Sequence, residues 1–117
     1  MKFKLIIVLT QDELTDKAIE AARAKGATGS TVITSARGEG LNPKKTFMGL
    51  TLAGQRDMVL FLVEEHHSCE ILETIAEACG FEKDHGTGVA FMIDIEDAVG
   101  LTTQIRSIQE DISKEDL

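Results

Sequence analysis

The sequence predicts an α+β domain, a four-stranded antiparallel sheet with both helices on one face. Three observations carry that expectation. Residues 5–9, 58–63 and 89–93 are strand-length runs that are apolar on both alternating faces. Two stretches of helical period alternate with them, and glycines punctuate the joins. In the middle run Met58, Leu60 and Leu62 point one way while Val59, Phe61 and Val63 point the other. Two helices cover only one face of a sheet, so continuous runs require a second cover. In a chain of 117 residues that cover is expected to be another copy of itself.

Each element has its own signals. A first strand is expected over residues 2–9, and Thr10-Gln11-Asp12-Glu13 fits a capping box in which Thr10 or Asp12 starts a helix. That helix carries Leu14, Ala18, Ile19, Ala22 and Ala24 on one stripe and stops near Lys25-Gly26. Residues 30–35 read as the second strand and 58–63 as the third. Ser68 is the expected cap of a second helix with Ile71, Leu72, Ile75, Ala76 and Cys79 inward, ended by Gly80. The fourth strand spans residues 89–95. The order βαββαβ is the split, ferredoxin-like arrangement.

Composition narrows the function classes. The net charge of −8 argues against a nonspecific grip on nucleic acid or an anionic membrane surface, both of which need dense Lys and Arg. The first ten residues have only a five-residue apolar core, and no run approaches the ~18 residues of a membrane span, so a cytoplasmic protein without membrane insertion is expected. Cys69 and Cys79 are ten positions apart on one helix, about 15 Å along its axis, so they cannot bridge each other. Both read as small core residues.

Two segments could carry function. Asp84-His85-Gly86-Thr87-Gly88 feeds directly into the fourth strand, and glycines at alternate positions let backbone N–H groups form a concave anion receiver without a cation; an ordinary turn is the competing reading. Residues 38–55, between strands two and three, exceed the usual loop length of a compact domain. They hold the sole proline, Pro43, with Lys44, Lys45, Phe47, Met48, Leu50 and Leu52, a mixture suited to an arm that orders against a partner, or to a long hairpin ribbon that packs locally. Arg37 and Arg56 stand at the arm's two roots, within reach of an anion or simply solvated.

These pieces resemble the PII nitrogen-regulatory signalling proteins over about residues 2–101. The resemblance rests on Gly29-Ser30-Thr31-Val32 through Arg37-Gly38-Glu39-Gly40 at the arm's entry, on Gly86-Thr87-Gly88-Val89-Ala90-Phe91, and on Ile95-Glu96-Asp97-Ala98-Val99-Gly100-Leu101. It implies a homotrimer in which three subunits enclose the sheets' second faces, with an adenine nucleotide in each intersubunit cleft. The arm, the family's T-loop, then controls a target protein such as a membrane transporter or an enzyme. By that resemblance Gly86, Thr87 and Gly88 cradle phosphate; His85 reads as a turn residue or a contact to bound base or ribose. Thr31, Arg37, Gly38 and Gly40 line the cleft, Arg56 stands at the family's basic position, and Lys44, Lys45, Phe47 and Met48 meet the target. Residues 1–101 form the domain and 102–117 an acidic tail.

Departures from the family pattern shape the ligand expectation. The chain has no tyrosine, which excludes uridylylation of the arm, and Val89 replaces the basic residue after the glycine turn. Only Arg106 remains near the C-terminus of the paired arginines, and Asn42 is the nearest stand-in for the glutamine linked to magnesium and 2-oxoglutarate. Each lost charged contact to phosphate removes about 1.5–3 kcal/mol, or ten- to hundredfold, so AMP or ADP is expected over ATP. The alternative class is a trimeric metal-binding or cation-tolerance protein, for which Glu64-Glu65-His66-His67-Ser68-Cys69 supplies donors. Neighbouring residues at a helix start diverge, however, and Glu there complements the helix dipole, so no metal is predicted. No nucleophile comes with a base and an orienting partner, so an enzyme is not expected.

Overall fold

The computed structural model describes residues 2–36, 46, 47, 50, 51, 56–84 and 86–100. Its elements in chain order are β1 (Phe3–Gln11), a 3-10 turn (Asp12–Leu14), α1 (Thr15–Ala24), β2 (Thr31–Ala36), β3 (Thr46–Phe47), β4 (Leu50–Thr51), β5 (Arg56–Glu64), α2 (Glu65–Cys79) and β6 (Gly88–Asp94). Four strands form one antiparallel sheet in the order β2-β5-β1-β6. This is the expected ferredoxin-like βαββαβ path. β3 and β4 pair separately as a minimal hairpin within the arm, Thr46 opposite Thr51 and Phe47 opposite Leu50.

Strand alternation divides the apolar runs between two faces. Ile6 and Val8 of β1 lie opposite Phe61 and Val59 of β5, and this face packs against Ala18 and Ala22 of α1 and Ile71, Ile75 and Cys79 of α2. Phe61, Ile6, Val8, Ile71 and Ile75 are fully buried there. Among the described residues the other face carries no helix. Across it the ladders set Ile33, Met58, Leu9 and Val89 in one row, Thr31, Leu60, Ile7 and Phe91 in the next, and Leu62, Leu5 and Ile93 in a third. In the single chain Ile33 is 45% exposed and Ile93 49%, which is the uncovered surface the sequence led us to expect.

Local chemistry moves several boundaries. Thr10 is not a helix cap: it is the eighth residue of β1, fully buried, and its hydroxyl donates to the Thr87 carbonyl at 2.8 Å. The helix begins later, at Thr15, whose hydroxyl donates to the buried Asp57 carboxylate of β5 at 2.6 Å. Ser68 is likewise inside α2 rather than at its cap, and its hydroxyl donates back to the Glu65 carbonyl. Glu64 caps instead, accepting from the His66 backbone N–H at 2.9 Å. Gly80 ends α2 as expected, at φ 71°, a left-handed conformation that favours glycine. Cys79 is buried as expected, but Cys69 is exposed; both are free thiols.

Candidate functional site: the glycine turn and the arm roots

One end of the sheet collects most of the described candidate residues. Gln11 ends β1 opposite Arg56, the first residue of β5, and Arg56 in turn lies opposite Ala36, the last residue of β2. Ala36 and Arg56, the strand ends that flank the arm, are therefore neighbours in one row across the sheet. Arg56 and Asp57 are buried there. On the other side of β1, Thr10 pairs with Gly88, which brings the glycine turn to the same end.

The turn is tied down by polar contacts. The Thr87 carbonyl accepts from the Thr10 hydroxyl and from the Gln11 backbone N–H at 3.3 Å, and the Gly86 carbonyl accepts from the Gln11 side-chain amide at 3.1 Å. The Thr87 hydroxyl donates back to the carbonyls of Gly80 and Asp84, closing the loop that leaves α2. Every described peptide bond is trans, and a trans peptide sets its N–H opposite its C=O. With the carbonyls of Gly86 and Thr87 held toward the end of β1, the N–H groups of Thr87 and Gly88 face away from it. In the described sheet β6 is an edge strand paired with β1 alone, so the Gly88 N–H looks toward the open edge.

The glycines serve different ends. Gly86 has φ 76°, in the left-handed region. Gly88 is needed for space: a Cβ there would stand 2.6 Å from the Leu9 carbonyl oxygen and 2.5 Å from Phe81 Cε1. After the turn, Val89 lies opposite Leu9 on the uncovered face, so hydrocarbon rather than charge follows the glycines.

Thr31 is not brought to this end within one chain. It starts β2 opposite Leu60, four positions along β5 from Arg56 and roughly 13 Å away, exposed on the uncovered face. Phe47 lies in β3. Arg37, Gly38, Gly40, Asn42, Lys44, Lys45, Met48, His85 and Arg106 lie outside the described residues, as does the 102–117 tail. Gln11 is the contact that sequence reading missed. Its signal was available: a polar pair, Thr10-Gln11, directly ends an apolar strand, where it can reach backbone carbonyls across the sheet end.

At the opposite end of the sheet, Glu64 and His66 form a local pair. Among the described residues no three His, Cys, Asp or Glu side chains gather as a metal site. The Glu64 side chain is buried at 6% exposure, and His66 Nδ1 lies 2.5 Å from its Oε1 while the rest of the ring stands in solvent. That hydrogen bond, with the charge of Glu64 behind it, raises the His66 pKa above 6.5. A raised histidine pKa stabilises the fold fully below 6.5, and that contribution is lost as pH rises through the raised value. The urea midpoint is expected to fall as pH rises from 6.5 through the raised value, and the slope should be shallower in His66→Ala.

With that geometry established, comparison with known proteins decides the family. Residues 3–105 match the sequence profile of nitrogen regulatory protein P-II. The chain belongs to the P-II family. No curated protein sequence matches it. Among solved structures, CPII of Thiomonas intermedia, described as bound to ADP, AMP and acetate, has a TM-score of 0.64 at 19% identity, over 84% of this chain and 90% of that one. Its apo form, described as a nitrogen regulatory PII-like protein, has a TM-score of 0.63 at 21% identity, covering 81% and 90%. A Thermus thermophilus protein described as PII-like in signalling has a TM-score of 0.60 at 22% identity, covering 81% and 88%. P-II proteins are signalling regulators. No described helix in this member is long and apolar enough to cross a membrane.

Proposed function

We propose that this P-II family member is a homotrimeric signalling regulator that binds AMP or ADP in preference to ATP in clefts between its subunits, changing the arm that controls a target protein. The observation that carries this reading is the glycine turn and the strand ends that flank the arm, Ala36 and Arg56, at one sheet end, beside an apolar face that no described helix covers. Packing three such faces together would form clefts at the subunit boundaries and bring Thr31 of one subunit toward a neighbour's turn. Two outward N–H groups suit a small phosphate count, and Val89 offers no charge for more. The ADP and AMP described for the Thiomonas protein support the same ligand class. Arg37, Gly38, Gly40 and His85 would complete the cleft, and Lys44, Lys45, Phe47 and Met48 would meet the target, a membrane transporter or an enzyme. Its output needs no chemistry: ligand contacts favour one arm conformation by their difference in affinity between conformations. The protein would work in the cytoplasm.

Thermal denaturation with AMP, ADP and ATP tests this reading, with Zn²⁺ and Cu²⁺ alongside. A ligand at a hundred times its Kd stabilises by about 2.7 kcal/mol. AMP and ADP are expected to raise Tm by several degrees, ATP by less and the metals not at all. A response to metals alone would replace the reading with cation binding.

A further inference from the structure

We infer that Gln11 is a positioning residue for the effector turn: its side-chain amide holds the Gly86 carbonyl inward, so that the Thr87 N–H stays turned outward beside that of Gly88. This rests on the reading of the turn as an anion receiver. The two peptide units of the turn are held unequally. The Thr87 carbonyl has two donors, the Thr10 hydroxyl and the Gln11 backbone N–H, and both belong to the well-buried end of β1. The Gly86 carbonyl is held by the Gln11 side chain, at 3.1 Å.

The peptide between Gly86 and Thr87 turns about ψ of Gly86 and φ of Thr87, and glycine leaves its side of that unit broadly free, so the Gln11 contact is what fixes it there. A flip would turn the Thr87 N–H inward and present the Gly86 carbonyl oxygen at the open edge. An oxygen lone pair would then stand where an anion has to sit. The Gln11 amide opposes that flip because it can donate to Gly86 only while the carbonyl faces β1. The contact also fixes the turn to the residue that lies opposite Arg56, at the arm's root.

The test combines order and affinity. Gln11→Met is near-isosteric and removes the donor, whereas Gln11→Lys keeps a donor of similar reach. In ligand-free, ¹⁵N-labelled protein, the Met variant is expected to lower the order parameter of the Thr87 amide from about 0.85 to below about 0.6, or to double its resonance, while the core strands keep theirs. The Lys variant should return it toward the native value. In titrations the Met variant should bind AMP and ADP about tenfold more weakly, by the same factor for both, because the loss acts through the turn rather than on an added phosphate. Unchanged order at Thr87 with unchanged affinity overturns the inference. So does a penalty that grows from AMP to ADP, which would make Gln11 a direct phosphate ligand. Disorder in the Met variant with no nucleotide bound by either protein supports the hold on the turn and overturns the nucleotide reading instead. Should the Met variant fail to fold, Gln11→Asn, one methylene too short to span the gap, gives the same readout.

Discussion

Gly88→Ala is expected to destabilise the fold by about 1–3 kcal/mol, the usual range for forcing extra volume into a packed site. The new Cβ would meet the Leu9 carbonyl oxygen at 2.6 Å and the Phe81 ring at 2.5 and 2.8 Å, all closer than real Cβ contacts come. The Leu9 oxygen cannot retreat easily, because β1 is held between β5 and β6. Phe81 can swing, but it packs against the helix-side core and would uncover part of it. Gly86→Ala meets a different obstacle, the left-handed φ of 76°, whose strain is about 1–2 kcal/mol and stays local. Urea denaturation should therefore rank Gly88→Ala as at least as damaging as Gly86→Ala, with an unchanged m-value in both. A loss under about 0.5 kcal/mol at Gly88 would mean that β6 does not approach β1 and Phe81 as described. Lost nucleotide binding in a Gly88 variant would thus report on packing before phosphate, and Gly86 is the cleaner probe.

The fold was legible in the sequence because its strongest signals are long and periodic. The runs around Leu5, Val59 and Val89 fixed three strands of the sheet, and the stripe from Ile71 to Cys79 fixed a helix. Helix starts were harder, because the same residue types serve several roles. Thr10 and Ser68 both look like caps, yet Thr10 satisfies a carbonyl 77 positions away and Ser68 bonds inside the first turn of α2. The cap that forms is Glu64, a residue type with weaker capping preference, placed by its pairing at the end of β5. The site was half legible. Glycine spacing pointed to the turn, but nothing local to Gln11 says that the strand topology will set it beside Gly86, 75 positions away.

Leu60→Glu is expected to convert a particle of about three times 12.7 kDa into single chains of 12.7 kDa, read by multi-angle light scattering. Leu60 sits mid-way along β5, in the row Thr31, Leu60, Ile7, Phe91 at the middle of the uncovered face. Glu64 closes β5 at one end, and Arg56 with Gln11 lies at the other, so polar residues border the apolar rows. If three copies pack these faces together, each substitution removes a buried leucine worth about 1.5–3 kcal/mol. It also buries a carboxylate whose desolvation costs several kcal/mol, and three such charges would converge. No stable trimer should survive that. The single chain should tolerate it well, because the Leu60 side chain faces away from the helix-side core, so circular dichroism should keep its helical signal. Lys17→Glu, on the exposed face of α1, is the control and should leave the mass unchanged. A wild-type protein that runs as a monomer at micromolar concentration, with this face open to water, would remove the clefts and with them the proposed effector site. A trimer unmoved by Leu60→Glu would place the subunit contacts on some other surface.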